Sequence, residues 1–254
     1  MNNGNNENNQ ITALGLDDSF MFSCSKQVPC FNECCRDLNQ LLTPYDILCL
    51  KNSLGISSGQ FLEEYTLQHT GPETGLPVVT LKPNNASNEA KCPFVTEEGC
   101  RVYSNRPGSC RTYPLARLAS RSRETGEITE HYALLNEPHC QGFEEGDTRT
   151  VRKWIEDQGI AIYNEMNDLF MEIISLKNRL MPGPMGIKSR HMFHLACYDL
   201  DNFRTHLFEK GFLSGLDLGQ VETEMLRNDD IELMKFGIKW VQENIFSGAS
   251  TNGR

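Results

Sequence analysis

The spacing of apolar positions changes near the middle of the chain. From Ile155 through Ile162, Met166, Leu169, Ile173 and Leu176 to Leu180 they step by seven and then by four and three. That stripe predicts a helix of about seven turns, stopped by Pro182-Gly183-Pro184. Phe193, Ala196, Leu200, Phe203 and Leu207 repeat the spacing, and so do Ile231, Met234, Ile238, Val241 and Ile245. Three such stripes predict a small helical bundle over residues 148–247, with a short tail at 248–254. A partner-binding coiled coil is the other reading, but the stripes are short and punctuated, and burial against one another explains them.

The first half has little such order. Residues 1–13 form an Asn-rich tail in this reading, and a loop-rich domain spans 14–147. Thr43 is a good N-cap, Pro44 suits the first helical position and Asp46 complements the helix dipole, so a helix is expected from Pro44 to Leu54 with Gly55 ending it. Ser57, with Gln60 as capping-box partner, starts a second. Val78 to Leu81 looks like a strand. Leu115 to Leu118 and Ile128 to Leu134, separated by Arg123-Glu124-Thr125-Gly126, suggest a β-hairpin. The expected fold class is α+β: a loop-rich domain with short helices and a small hairpin, organised by metal and packed on the C-terminal bundle.

Composition narrows function. A formal charge of -10 on 254 residues disfavours polyphosphate partners, so no nucleic acid is expected. Basic residues gather only at Arg117, Arg121 and Arg123, too few for a phosphate-tracking surface. No apolar run approaches the roughly 18 to 20 residues of a membrane span, and Met1 to Gln10 has neither a basic nor an apolar leader region. The expectation is a cytoplasmic protein away from the membrane.

The chain has 10 cysteines, and a reducing compartment turns attention from disulfides to metal. Eight fall into two groups, Cys24, Cys30, Cys34 and Cys35, then Cys92, Cys100, Cys110 and Cys140. Consecutive Cα atoms lie about 3.8 Å apart, so a disulfide between Cys34 and Cys35 would be strained. Both can instead supply thiolates to one metal centre or to two neighbouring ones. Eight thiolates suit two four-cysteine zinc sites, an iron-sulfur cluster such as [4Fe-4S] plus a zinc, or a multinuclear centre with bridging sulfurs. Four thiolates leave a net negative charge on either metal, which Arg101, Arg106 and Arg111 could offset, and Arg111 beside Cys110 is the favoured one. Cys49 and Cys197 sit within apolar helical patterns and read as core. His191 and His194 lack a third ligand, and His139 is a weaker candidate beside Cys140.

The strings Cys92-Pro93-Phe94, Cys100-Arg101-Val102-Tyr103, Arg106-Pro107, Cys110-Arg111-Thr112-Tyr113-Pro114 and Cys140-Gln141-Gly142, with the Cys34-Cys35 pair, resemble the YkgJ-type cysteine-cluster proteins, described as zinc- or iron-chelating domains. The resemblance covers roughly residues 20 to 147. Bacterial flagellin lysine N-methylases look like relatives of that family, and they imply an iron-sulfur cluster, S-adenosylmethionine and a protein substrate. The expected function is therefore metal binding through thiolates with no assigned reaction, and the alternative is an iron-sulfur-dependent protein lysine N-methyltransferase. The chain has no Gly-x-Gly-x-x-Gly turn, so S-adenosylmethionine would have to bind at the cluster itself. Metal storage is disfavoured because ligands dispersed over more than 110 residues imply a site closed by folding.

Overall fold

The structure is a computed structural model that describes residues 10–36, 39–72, 74–84, 90–122, 124–144, 146–210 and 219–246. The bulk of the Asn-rich tail, Arg123 and the tail at 248–254 lie outside the described residues. The chain runs β1 (Gln10–Leu14), β2 (Ser19–Met21), β3 (Leu41–Leu42), α1 (Pro44–Leu54), α2 (Ser58–Tyr65), β4 (Thr66–Thr70) and β5 (Pro77–Leu81). It continues through β6 (Val95–Thr96), β7 (Gly99–Cys100), α3 (Gly108–Thr112), β8 (Leu115–Arg121), β9 (Ile128–Asn136), β10 (Thr148–Thr150) and α4 (Val151–Asp157). The last elements are α5 (Ala161–Leu180), α6 (Ile187–Cys197), α7 (Leu200–Glu209), α8 (Gln220–Asn228) and α9 (Asp230–Val241). Short helices and small antiparallel sheets make this an α+β protein. Among the described residues, no helix is long and apolar enough to cross a membrane.

The chain divides into two compact units that interleave in sequence, residues 1–38 with 85–162, and 39–84 with 163–254. The first is built on the sheet β1-β9-β8, in which β8 and β9 form the expected hairpin with Leu115 opposite Leu134. Residues 10–13, expected in the tail, form β1, because Gln10 to Leu14 pair antiparallel with Asn136 to Tyr132. Strand β10 pairs with β2, and Phe20, Phe22, Leu115, Tyr132, Val151, Trp154 and Ile160 form one apolar core. Phe22 meets Trp154 edge to face at 5.7 Å, a geometry aromatic rings favour. Residues 148–162 therefore fall in the same unit as the cysteine loops. The stripe from Ile155 to Leu180 is accordingly two helices. Gly159, at φ 59°, closes α4 in the left-handed region that favours glycine, and the seven-residue step from Ile155 to Ile162 keeps the apolar phase across the break.

The second unit joins α1, α2 and the sheet β3-β5-β4 to helices α5 to α9. Helix α1 starts as expected, with a full capping box between Thr43 and Asp46. On α2, Ser57 caps the Gln60 amide, but the Gln60 side chain turns to Glu64 and leaves the box half closed. Polar contacts bind 39–84 to the helices. Ser58 Oγ donates to Asp199 at 2.7 Å, and Lys51, with its side chain only 7% exposed, bridges Asp201 at 3.3 Å and Asp230 at 3.1 Å. Asp199 also breaks the second stripe, since α6 ends at Cys197 and α7 restarts at Leu200 with Asp199 as its non-helical N-cap. Helix α9 follows the third stripe, whereas α8 was not expected, because it exposes Val221 and Met225 and has little apolar face to read.

Candidate metal centre

The first unit contains Cys24, Cys30, Cys34, Cys35, Cys92, Cys100, Cys110 and Cys140, and the second contains Cys49 and Cys197. The separation of eight from two, expected from local pattern, therefore coincides with the division of the fold. Cys197 is fully buried among apolar helices and Cys49 is half-buried on α1.

Each of the eight is placed by a short local device. Cys24 follows β2 and the core residue Phe22, and the Ser23 amide donates to the Gly142 carbonyl at 2.8 Å, which brings the Cys140 loop alongside. A side chain could not replace the hydrogen at Gly142, since a Cβ there would stand 2.6 Å from the Ser23 carbonyl oxygen. Between Cys24 and Cys35 the chain folds as consecutive tight turns, with bonds from Val28 to Ser25, Phe31 to Val28, Glu33 to Cys30 and Cys35 to Asn32. Asn32 takes a left-handed φ of 70° and its side chain ties to the Thr96 carbonyl at 3.0 Å. Cys100 belongs to the β6–β7 hairpin, Cys92 precedes that hairpin and donates its amide to the Cys35 carbonyl at 2.8 Å, and Cys110 is on α3. Trp154 Nε1 holds the end of α3 through the Thr112 carbonyl at 3.1 Å.

Several sulfurs already receive backbone N–H groups. Gln141 donates to Cys30 Sγ at 3.1 Å. Phe94 and Val95 donate to Cys92, Val102 to Cys100 and Gly142 to Cys140. Such donors stabilise a thiolate, and they are the partners that a metal-bound cysteine uses. Cys24, Cys30, Cys34 and Cys140 line a small cavity of about 20 Å³ together with Tyr113 and His139. The Tyr113 hydroxyl is buried there beside Cys140 and Glu137, and burial first, then those two groups, push its pKa up.

The thiols differ in charge. The Cys35 thiol donates to Cys34, which draws Cys34 down to about 7 and pushes Cys35 up. Burial first, then the thiols of Cys34, Cys30 and Cys140, raise Cys24 to about 11. Burial also raises Cys92, Cys100 and Cys140. As they stand, the sulfurs are neighbours and not a closed cage. Among the described residues, no group of three or more His, Cys, Asp or Glu side chains is arranged to hold a metal ion. The donor chemistry suits a thiophilic metal, and loading must turn the thiols inward and displace their protons.

Residues 23–141 match the family model described as "CxxCxxCC: Putative zinc- or iron-chelating domain". The match covers just under half of the chain, and it is to the zinc- or iron-chelating cysteine-cluster family that the sequence strings resemble. No curated protein and no solved structure matches the chain. The matched segment departs from the spacing in that description, because five residues lie between Cys24 and Cys30 and three between Cys30 and Cys34. The consecutive turns take up the extra residues, so all three still reach one cavity.

The arginines of the matched segment differ in their surroundings. Arg111 donates from its two terminal nitrogens to the Gln158 and Ser104 carbonyls, both at 2.6 Å, and so fastens α3 to the α4 terminus. Arg106 is the more central cation. It is 7% exposed, lies 3.9 Å over the Tyr103 ring, and bonds the Tyr103 carbonyl and the Gln158 side chain. Its charge acts on Cys24, Cys100 and Cys110. Arg101 acts on Cys92 and Cys100 and lies over Phe94. Gln158 drew no attention in the sequence, and Tyr113 entered only as part of the string from Cys110 to Pro114, without a role at the site.

Proposed function

We propose that the chain is a metal-binding protein in which Cys24, Cys30, Cys34, Cys35, Cys92, Cys100, Cys110 and Cys140 hold zinc or an iron-sulfur cluster as thiolates. The observation that supports this most is the gathering of these eight, and neither of the other two cysteines, into one compact unit whose loops direct N–H groups at their sulfurs. Zinc and iron-sulfur cores both accept four thiolates and both leave net negative charge, which Arg106 and Arg101 are placed to offset. Cys34 is the ligand already biased toward thiolate near neutral pH, so it is the natural first contact for an incoming ion. The bound metal would cross-link loops that share few regular hydrogen bonds, adding its binding energy to folding. S-adenosylmethionine and lysine methyl transfer rest on the family resemblance alone and form no part of the proposal.

The test is metal analysis of the full chain purified without oxygen. Stoichiometric zinc in a colourless preparation, or iron matched by acid-labile sulfide in a brown one, is the expected result. A folded, fully reduced chain that contains neither and takes up neither would refute the function.

A further inference from the structure

Eight thiolates can serve one multinuclear centre or two separate ones, and their placement divides them. We infer that the matched segment holds two four-thiolate centres, one made by Cys24, Cys30, Cys34 and Cys140 and the other by Cys35, Cys92, Cys100 and Cys110. This division rests on the metal-binding function proposed above.

The first four line a single cavity of about 20 Å³, room for one small ion, and the chain closes it from both sides. Ser23 bonds Gly142, Gln141 bonds the Cys30 sulfur, and the close approach needs the missing side chain at Gly142. Cys35 is absent from that lining although it is bonded to Cys34 in sequence. Its carbonyl instead holds the Cys92 amide at 2.8 Å, and beyond Cys34 the thiols that act on it are Cys92 and Cys110. The β6–β7 hairpin then carries Cys100 back toward Cys92, whose thiol feels that of Cys100. The adjacent pair thus gives one sulfur to each side. Tetrahedral zinc takes four sulfurs, so each set is a complete ligand complement. Each filled centre would carry a net -2. Arg106 acts on Cys24 from one set and on Cys100 and Cys110 from the other, as a cation serving both centres should. Cys34 also acts on Cys100, so the centres are neighbours.

The experiment titrates Zn2+ alone into the reduced, metal-free full chain, alkylates the free thiols and locates the protected ones by top-down mass spectrometry. In the one-zinc species four cysteines should be protected, all from one set, and the two-zinc species should protect all eight. Cys140→Ser and Cys110→Ser should each retain one zinc, and the double variant none. A one-zinc species that protects a mixed set or more than four thiols overturns the division, as does loss of all zinc in either single variant that remains folded by circular dichroism. If a variant does not fold, protection in the unaltered chain decides alone. Zinc refused by a chain that was isolated with iron also overturns the division. Zinc refused by a chain that carries no iron defeats metal binding itself, a separate failure.

Discussion

Alkylation of the metal-free chain reads the thiol electrostatics directly. Cys24 and Cys34 both keep part of their surface open to solvent while they line the cavity, so access alone does not separate them. Their ionisation does: Cys34 is drawn to about 7 by the Cys35 thiol, and Cys24 is raised to about 11 by burial and three neighbouring thiols. At pH 7 about half of Cys34 is thiolate against roughly one part in ten thousand of Cys24, a ratio of several thousand. Nucleophilicity falls with pKa with a Brønsted slope of about 0.4–0.5, which over four units returns roughly 40- to 100-fold to Cys24. The net expectation is that Cys34 reacts about 50- to 125-fold faster. A pulse of iodoacetamide at pH 7, quenched and read by peptide mass spectrometry, measures it. The sign is also visible in the slope with pH. From pH 7 to 9 the Cys34 rate should level off as its ionisation completes, while the Cys24 rate should climb about tenfold per unit. Equal rates at pH 7, or parallel slopes, would refute the reasoning.

Replacing Arg106 with Gln removes the cation that acts on Cys24, Cys100 and Cys110, and should weaken metal binding about 10- to 100-fold in chelator competition. The same competition on Arg111→Gln should show the smaller loss, because that side chain is spent on carbonyls. Gly237→Ala places a Cβ 2.2 Å from the Ala196 carbonyl oxygen where α9 meets α6, and should destabilise the second unit by about 1–3 kcal/mol in denaturant melts with metal content unchanged.

Local chemistry was readable in the sequence wherever one short segment decides the outcome. Thr43, Pro44 and Asp46 place the start of α1 without help from the rest of the chain, and the β8–β9 hairpin follows from two apolar runs around a polar turn. Periodicity failed where a helix breaks without losing phase. Ile155 and Ile162 stay on one stripe across Gly159, and nothing in apolar spacing marks Asp199 as the end of one helix and the start of the next. The interleaving of the units was equally hidden, because it depends on Lys51 and Ser58 reaching acids some 140 to 180 positions later. At the site, the grouping of the cysteines by unit follows their neighbours in sequence, since Cys49 and Cys197 lie in apolar helices and the eight lie in loops or short elements. The surroundings of the arginines do not. Adjacency favoured Arg111, whereas burial and direction, which only the fold supplies, favour Arg106.

The central claim, that these thiolates hold the metal, is tested most directly by comparing the metal-to-protein ratio of the chain with that of Cys34→Ser/Cys35→Ser, both purified without oxygen. The pair takes part in both proposed centres and in the hydrogen bond that draws Cys34 toward thiolate. Near-stoichiometric zinc or iron is expected in the unaltered chain, with its loss in the double variant and retained helical circular dichroism from the second unit. An unchanged metal ratio in the double variant would contradict the claim.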